Sequence, residues 1–450
     1  MKPSVLIAPD AEVKMQRTSS RSALDSVVLY GVVTLLLFGP LAAGAVRPWA
    51  IFVLEMGAAL LFALWVVRQA SSGILQFTGN PLFLPMIVFA ALIVLQLVIG
   101  ATAYRYQTFS SALLYCAYGL FCFLVVQCLR SSTQIKTLAF IFSAYGLGVA
   151  MFALVQSLTS NGKLYWLRTP RFGGWIYGPY VNHNHYAGLM EMLLPIPLVF
   201  FLTQRAQGWQ KAMAAVAAGV MASTIFLSGS RGGMAAFMLQ MAVLALVLMK
   251  QRRSHRSNIG LALFLLVVIG LLIWLGGREL TTRVASINLE ARKELSGGVR
   301  TAIDRDGLRM FARRPVLGWG LGVFPDVYPR YRSFYTNFFI NQAHNDYLQL
   351  LVEMGALGLA TMIWFVAQLY RHAIRKLGNW SEDINGAIAL AAMLGCTGIL
   401  IHSFVDFNLQ IPANAALFYV LCVVATIEHR FGRSIRKHAR RPTEAPKVSA

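Results

Sequence analysis

NQAHNDYLQLLVEMGALGLATMIWFVAQLY, residues 341–370, changes texture part-way. It opens polar, with His344 and Asp346 two positions apart, and turns apolar from Tyr347 onward. A helix over 347–370 is long enough to cross a hydrocarbon core about 30 Å thick. Its mouth carries a histidine and a carboxylate, and that placement raises the functional question.

The same apolar texture recurs along the chain. Of 450 residues, 57% are hydrophobic and 13% charged, against about 25% charged in a soluble protein. Twelve runs read as spans: 26–46, 49–67, 81–100, 109–129, 137–158, 186–203, 211–228, 232–249, 259–276, 347–370, 384–405 and 409–428. The first two read equally as a tight hairpin, and SGSRGG alone divides the seventh from the eighth. The expected fold is all-α, a polytopic transmembrane helix bundle of about twelve spans with one large outer loop. Its parts are a tail (1–25), spans one to nine (26–276), the loop (277–345), spans ten to twelve (346–428) and a basic tail (429–450).

The net charge of +22 falls mostly between apolar runs, which points to anionic lipid headgroups rather than nucleic acid. Both tails and alternate loops (near Arg68, 130–136, 205–211, 250–256 and 371–376) hold 23 of the 40 basic residues. By the positive-inside rule these segments are cytoplasmic, and the loop 277–345 lies outside. The five cysteines (116, 122, 128, 396, 422) sit in apolar runs without metal spacing and read as small packing residues.

Chemistry on the outer face draws on few residues. The imidazole of His344 has an ordinary pKa of about 6.5, suited to a general base near neutrality; the bland alternative is a helix-capping role beside Asn345 and Asp346. Arg231, in SGSRGGM (228–234), reads either as a fork for phosphate oxygens or as an arginine snorkelling to lipid. In the 163–185 loop, Arg168 and Arg171 are candidates for a diphosphate or a sugar carboxylate. Trp166, Trp175, Tyr177 and Tyr180 are candidates for stacking on sugar rings, or for an interfacial belt. His183 and His185 diverge on a helix, so hydrogen bonding suits them better than a metal. Glu191, beside Pro195 and Pro197, reads as a buried partner in a kinked helix. His402 and Asp406, at i and i+4, read as a local pair.

These pieces together resemble the O-antigen ligase and polymerase superfamily of bacterial envelope proteins. The likeness covers about 150–430. It rests on the late outer loop, on RRPVLGWGLGVF (313–324) followed by AHNDYLQLLVEMGALG (343–358), and on the SGSRGG turn. It implies glycan transfer from undecaprenyl diphosphate at the periplasmic face of the inner membrane, without nucleotide sugar, ATP, metal or other cofactor. The acceptor is lipid A-core for a ligase and a second lipid-linked repeat for a polymerase. The resemblance makes His344 the essential histidine, oriented by Asp346 or a loop residue. It sets Arg231 with Arg171, or next Arg168, on the diphosphate; His185 and Tyr180 are further substrate-binding candidates. A transporter or flippase is the reading from another class, but paired internal repeats are not visible.

Overall fold

A computed structural model describes residues 9–73, 75–170, 174–203, 208–250, 259–273, 297–337 and 339–428. The helices are α1 (Pro9–Leu41), α2 (Pro48–Ser72), α3 (Phe83–Val98), α4 (Arg105–Cys128), α5 (Ser132–Leu158), α6 (His183–Leu193), α7 (Pro195–Leu202), α8 (Gly208–Leu227), α9 (Arg231–Lys250), α10 (Ile259–Ile273), α11 (Gly297–Arg313), α12 (Asp346–Ile374), α13 (Ile384–His402) and α14 (Pro412–Thr426). Among the described residues there are also a four-residue helix, Phe324–Val327, and four short 3-10 turns, and the β-structure consists of two isolated bridges, Leu164 with Arg168 and Tyr177 with Tyr180. Residues 1–8, the basic tail 429–450 and residues 277–296 of the outer loop lie outside the described residues, as does Arg171.

Nine helical stretches among the described residues are long and apolar enough to cross a membrane, with α6 and α7 forming one of them. Three of the twelve expected spans correspond to shorter apolar helices, α3, α10 and α14. For α14 the reason is local. Residues 408–410 form a 3-10 turn, and the helix begins only at Pro412, whose missing N–H suits a first helical position. The chain that the apolar pattern assigns to a membrane span is used instead to build one end of the bundle.

Helices α6 and α13 form the middle. Their span windows are 89% and 78% buried inside the protein, against 22% for α2. A helix surrounded by others can carry polar groups at membrane depth, because they face protein and not lipid. Gln240 of α9 uses this setting, donating to the backbone carbonyls of Glu191 (2.9 Å) and Leu394 (2.8 Å). At one end of the bundle Arg68 pairs with Asp25 at 2.7 Å, and Lys376 caps the carbonyl of Ala425 at 3.0 Å. Burial pulls the Lys376 ammonium down to about 8, with Glu428 opposing.

The outer loop docks on α12 through a break in that helix. Gly355 has φ 66 and ψ −169 inside an otherwise helical run. The opened backbone receives the segment 315–322: Ala356 N donates to Pro315 O (2.8 Å), Trp319 N to Val352 O (3.0 Å) and Gly320 N to Glu353 O (2.9 Å). The Glu353 carboxylate accepts from the amides of Gly322 (2.7 Å) and Phe324 (3.2 Å). A Cβ on Gly355 would lie 2.2 Å from the Val316 carbonyl oxygen, and one on Gly318 would lie 2.5 Å from that of Glu353. Gly318 of GWGLG and Gly355 of MGALG therefore serve loop docking. Gly355→Ala should cost at least about 1–3 kcal/mol from the backbone conformation alone, and more from the clash. A lowered Tm in detergent checks this, with Gly378→Ala as control, because a Cβ there meets nothing within 4 Å.

Candidate functional site

The site forms where α6, α9, α12, α13 and α14 end on the same side of the bundle. Helix α6 starts with Asn182 as its cap, its side chain accepting from Asn184 N. Its first turn therefore projects His183, Asn184 and His185 from a buried position. His183 holds the SGSRGG turn: its Nδ1 lies 2.9 Å from the Ser228 carbonyl, and its ring stacks on Trp175 at 4.6 Å. That turn is kept close by its glycines, since a Cβ on Gly232 would lie 2.6 Å from His402 Nε2.

His344 reaches the site by an unusual backbone. Its φ is +53, a left-handed conformation that histidine enters more readily than most residues but rarely without cause. Capping α12 falls to Asn345, which accepts from the amides of Tyr347 and Leu348, both at 3.1 Å. The capping alternative for His344 is thereby removed.

The carboxylate that meets His344 is Asp406. Its Oδ1 lies 3.8 Å from His344 Nδ1 and 3.8 Å from His185 Nε2. Its Oδ2 accepts from Asn184 Nδ2 at 2.5 Å, and Oδ1 accepts from Phe407 N at 2.8 Å. Burial pushes this carboxyl up, but His185, His344 and His402, together with the Phe407 amide, outweigh it and hold it below the usual carboxylate range. The Phe407 ring stands edge-on to both imidazoles, 4.7 Å from His185 and 4.8 Å from His344.

Asp346 does a different job. Its Oδ2 accepts from Ser403 Oγ (2.8 Å) and Leu409 N (3.0 Å), and its Oδ1 from Gln410 Nε2 (3.2 Å). Its own amide donates to Ser403 O at 2.9 Å. Asp346 thus pins the segment 403–410 that carries Asp406, and its carboxylate bonds that segment. The expected local pair of His402 with Asp406 is corrected. The backbone keeps the i, i+4 contact, Asp406 N donating to His402 O at 3.1 Å, but the imidazole turns elsewhere, and His402 Nδ1 bonds Glu191 Oε1 at 2.9 Å. Glu191 is therefore a buried partner of α13 and not merely of its own kink.

The other sequence candidates divide. His185 joins the cluster. Tyr180 is 1% exposed and donates to Asn414 Oδ1 at 2.8 Å, so its ring braces α14 instead of offering a face to a sugar. Arg231 is exposed at the first turn of α9, where helix N-terminal amides and dipole favour an anion. Arg168 is half-buried in the turn bridged from Leu164. Sequence reasoning did not connect Asn184, Asp406 and Phe407 to His344; the polar cluster NHNH at a span start and the acid at 406 were visible, but their pairing spans more than 200 residues. Among the described residues no group of three or more His, Cys, Asp or Glu is arranged to hold a metal ion.

Residues 216–363 match the family model described as O-antigen ligase. The matched stretch, about a third of the chain's 450 residues, includes Arg231, the outer loop, His344 and the Gly355 break. It supports membership of the chain in that superfamily. No curated protein matches the chain. The match and the polytopic helical architecture are consistent with a membrane-embedded glycan-transfer enzyme.

Proposed function

With the O-antigen ligase-type segment as the starting point, we propose that the protein transfers a glycan from undecaprenyl diphosphate to a sugar hydroxyl at the periplasmic face of the inner membrane, with lipid A-core as acceptor. The observation that carries this reading is the His344–Asp406 arrangement at the bundle end shared with Arg231. His344 takes the proton of the acceptor hydroxyl. The oxygen attacks the anomeric carbon, the bond from that carbon to the diphosphate breaks, and the diphosphate leaves with its charge. That leaving group needs charge stabilisation more than protonation, and Arg231, with Arg171 or Arg168, supplies it by bidentate bonding. Asp406, buried and ionised, orients His344 and stabilises the imidazolium that forms.

The test is transfer in nanodiscs from purified lipid-linked donor, offered lipid A-core in one tube and only further lipid-linked donor in the other. Product on the core supports the ligase reading. Elongated lipid-linked product without core modification would replace it by the polymerase, and no transfer in either tube would remove the glycosyltransferase reading.

Two expected outcomes belong here. Arg231→Ala should weaken donor binding and transfer by about 10- to 100-fold, the worth of a hydrogen bond to a charged group, and Arg231→Lys should recover only part, because the fork is lost. Donor titration with purified variants checks both. For topology, a reporter active only in the periplasm and fused after Gly297 should be active, while one fused at the C-terminus should be silent. The reverse pattern would invert the orientation.

A further inference from the structure

A cavity of about 330 Å³ is lined in part by Phe407, whose ring also contacts His185 and His344. Its size is at the small end for ligand pockets. Four structural units enclose it: Val46 just before α2 with Ile51 at its start, α4, the docked outer loop with the start of α12, and the 407–412 segment. Helix α9, which carries Arg231, contributes nothing to its lining.

The lining has a specific chemistry. Gln107, Ser110 and Ser111 of α4 line it together with Asn341, Gln342 and Gln410, so separate elements supply amides and hydroxyls. The side chains of Gln107, Ser110 and Ser111 have no hydrogen-bond partner among the described residues. Tyr115, Leu114, Phe407 and Pro412 supply apolar surface. Amide and hydroxyl donors beside aromatic faces suit the hydroxyls and C–H faces of a sugar ring. Among the described residues no lysine or arginine lines the cavity, and the one carboxylate there, Glu353, already accepts from Gly322 N, Phe324 N and Gln349 Nε2. An acidic sugar would enter without a counter-charge and next to a buried acid, which is costly.

Resting on the glycosyl-transfer reading above, we propose that this cavity is the subsite for an uncharged pyranose of the acceptor, which it presents to His344 past the Phe407 ring. The position fits both halves of that statement. Asn341 and Gln342 lead directly into His344 along the chain, and Phe407 belongs both to the cavity wall and to the imidazole contacts. The diphosphate side, at Arg231, lies on an element the cavity does not touch, so donor and acceptor reach His344 from different helices. The cavity thereby sets acceptor specificity by charge: neutral and N-acyl sugars are taken, uronic acids refused.

The test measures sugar binding without donor. Saturation-transfer NMR on the full-length protein in nanodiscs uses methyl β-glucopyranoside and methyl β-glucuronide as probes. The neutral glycoside should give a signal at least tenfold stronger than the uronide. Gln107→Leu and Ser110→Leu should each remove most of the neutral signal, and Gln107→Lys should raise the uronide signal by about tenfold. Equal signals from the two sugars in the wild type, or an unchanged preference in all three variants, would overturn the assignment. The Lys variant gains a signal, so misfolding cannot imitate it. Because donor is absent, a wild type that binds the glucoside but transfers nothing would reject the transfer reading while supporting the subsite.

Discussion

His344→Ala is expected to lower glycan transfer by about 10²-fold or more, the usual worth of a positioned general base, while donor affinity stays near that of the wild type. The expectation rests on geometry. His344 is half-buried at the mouth of α12, held in a left-handed backbone conformation (φ +53) that turns its ring toward Asp406 and away from the helix it precedes. The cap of α12 is Asn345, so truncating the neighbouring imidazole should leave the helix start intact. A helix-capping role predicts the opposite pattern, a stability loss of about 1 kcal/mol with near-normal turnover. His344→Gln separates hydrogen bonding from basicity: it should stay close to the Ala variant if proton transfer matters. The decisive measurement is turnover at saturating acceptor alongside donor titration. Normal turnover in the Ala variant would end the base assignment, and loss of donor binding would make His344 a diphosphate ligand instead.

Asp406→Asn should produce the second large effect, and through a different route. The substitution keeps size but removes the charge facing His344 and His185, each at 3.8 Å, and turns an acceptor toward a donor at Asn184. Removing one partner of a buried charge cluster costs about 3–5 kcal/mol, and the misoriented imidazole should lower turnover by at least the 10²-fold expected of losing the base itself. The pH dependence has a definite sign. The Asp406 carboxyl is held below its usual range in the folded protein. Its stabilising contribution is therefore full above the unfolded value of about 3.9 and lost only as pH falls through the lower folded value. An acid limb of transfer between about pH 7 and 5 therefore does not come from Asp406. In the Asn variant the anion no longer favours the charged imidazole, so that acid limb should move to lower pH. A pH–rate profile with the limb unmoved would show that Asp406 does not act through histidine.

Asp346 shows how far local spacing misleads. HxD at 344–346 looks like a histidine with its own carboxylate, yet Asp346 is committed to Ser403, Leu409 and Gln410. Two residues apart at a helix start, the side chains point to different walls. The acid that meets His344 comes from after α13, and no sequence period links position 344 to 406. The same limit applies to Tyr180, an aromatic in a polar loop that the fold turns inward onto Asn414. The place of Arg231 at the exposed head of α9 was legible because it lies between two membrane-length runs. The glycine motifs were legible as turns, but not their purpose, since the clash that excludes a side chain at Gly355 comes from Val316, in another segment.

What the sequence determined by itself is everything that follows from local composition: apolar runs of membrane length, all-helical structure, the late outer loop and the clustering of His, Asn and Arg at span ends. Those features depend on the solvent each segment can tolerate, and a single segment carries that information. Tertiary structure decided what depends on contact between distant segments. It shortened the last span so that 408–410 could build the site, buried α6 deeply enough to hold His185 and Glu191, opened α12 at Gly355 to receive the loop, and chose Asp406 over Asp346 as the partner of His344. The physical reason is that a buried charge must find its partner wherever the packed helices bring one, and packing brings together residues that the chain keeps far apart.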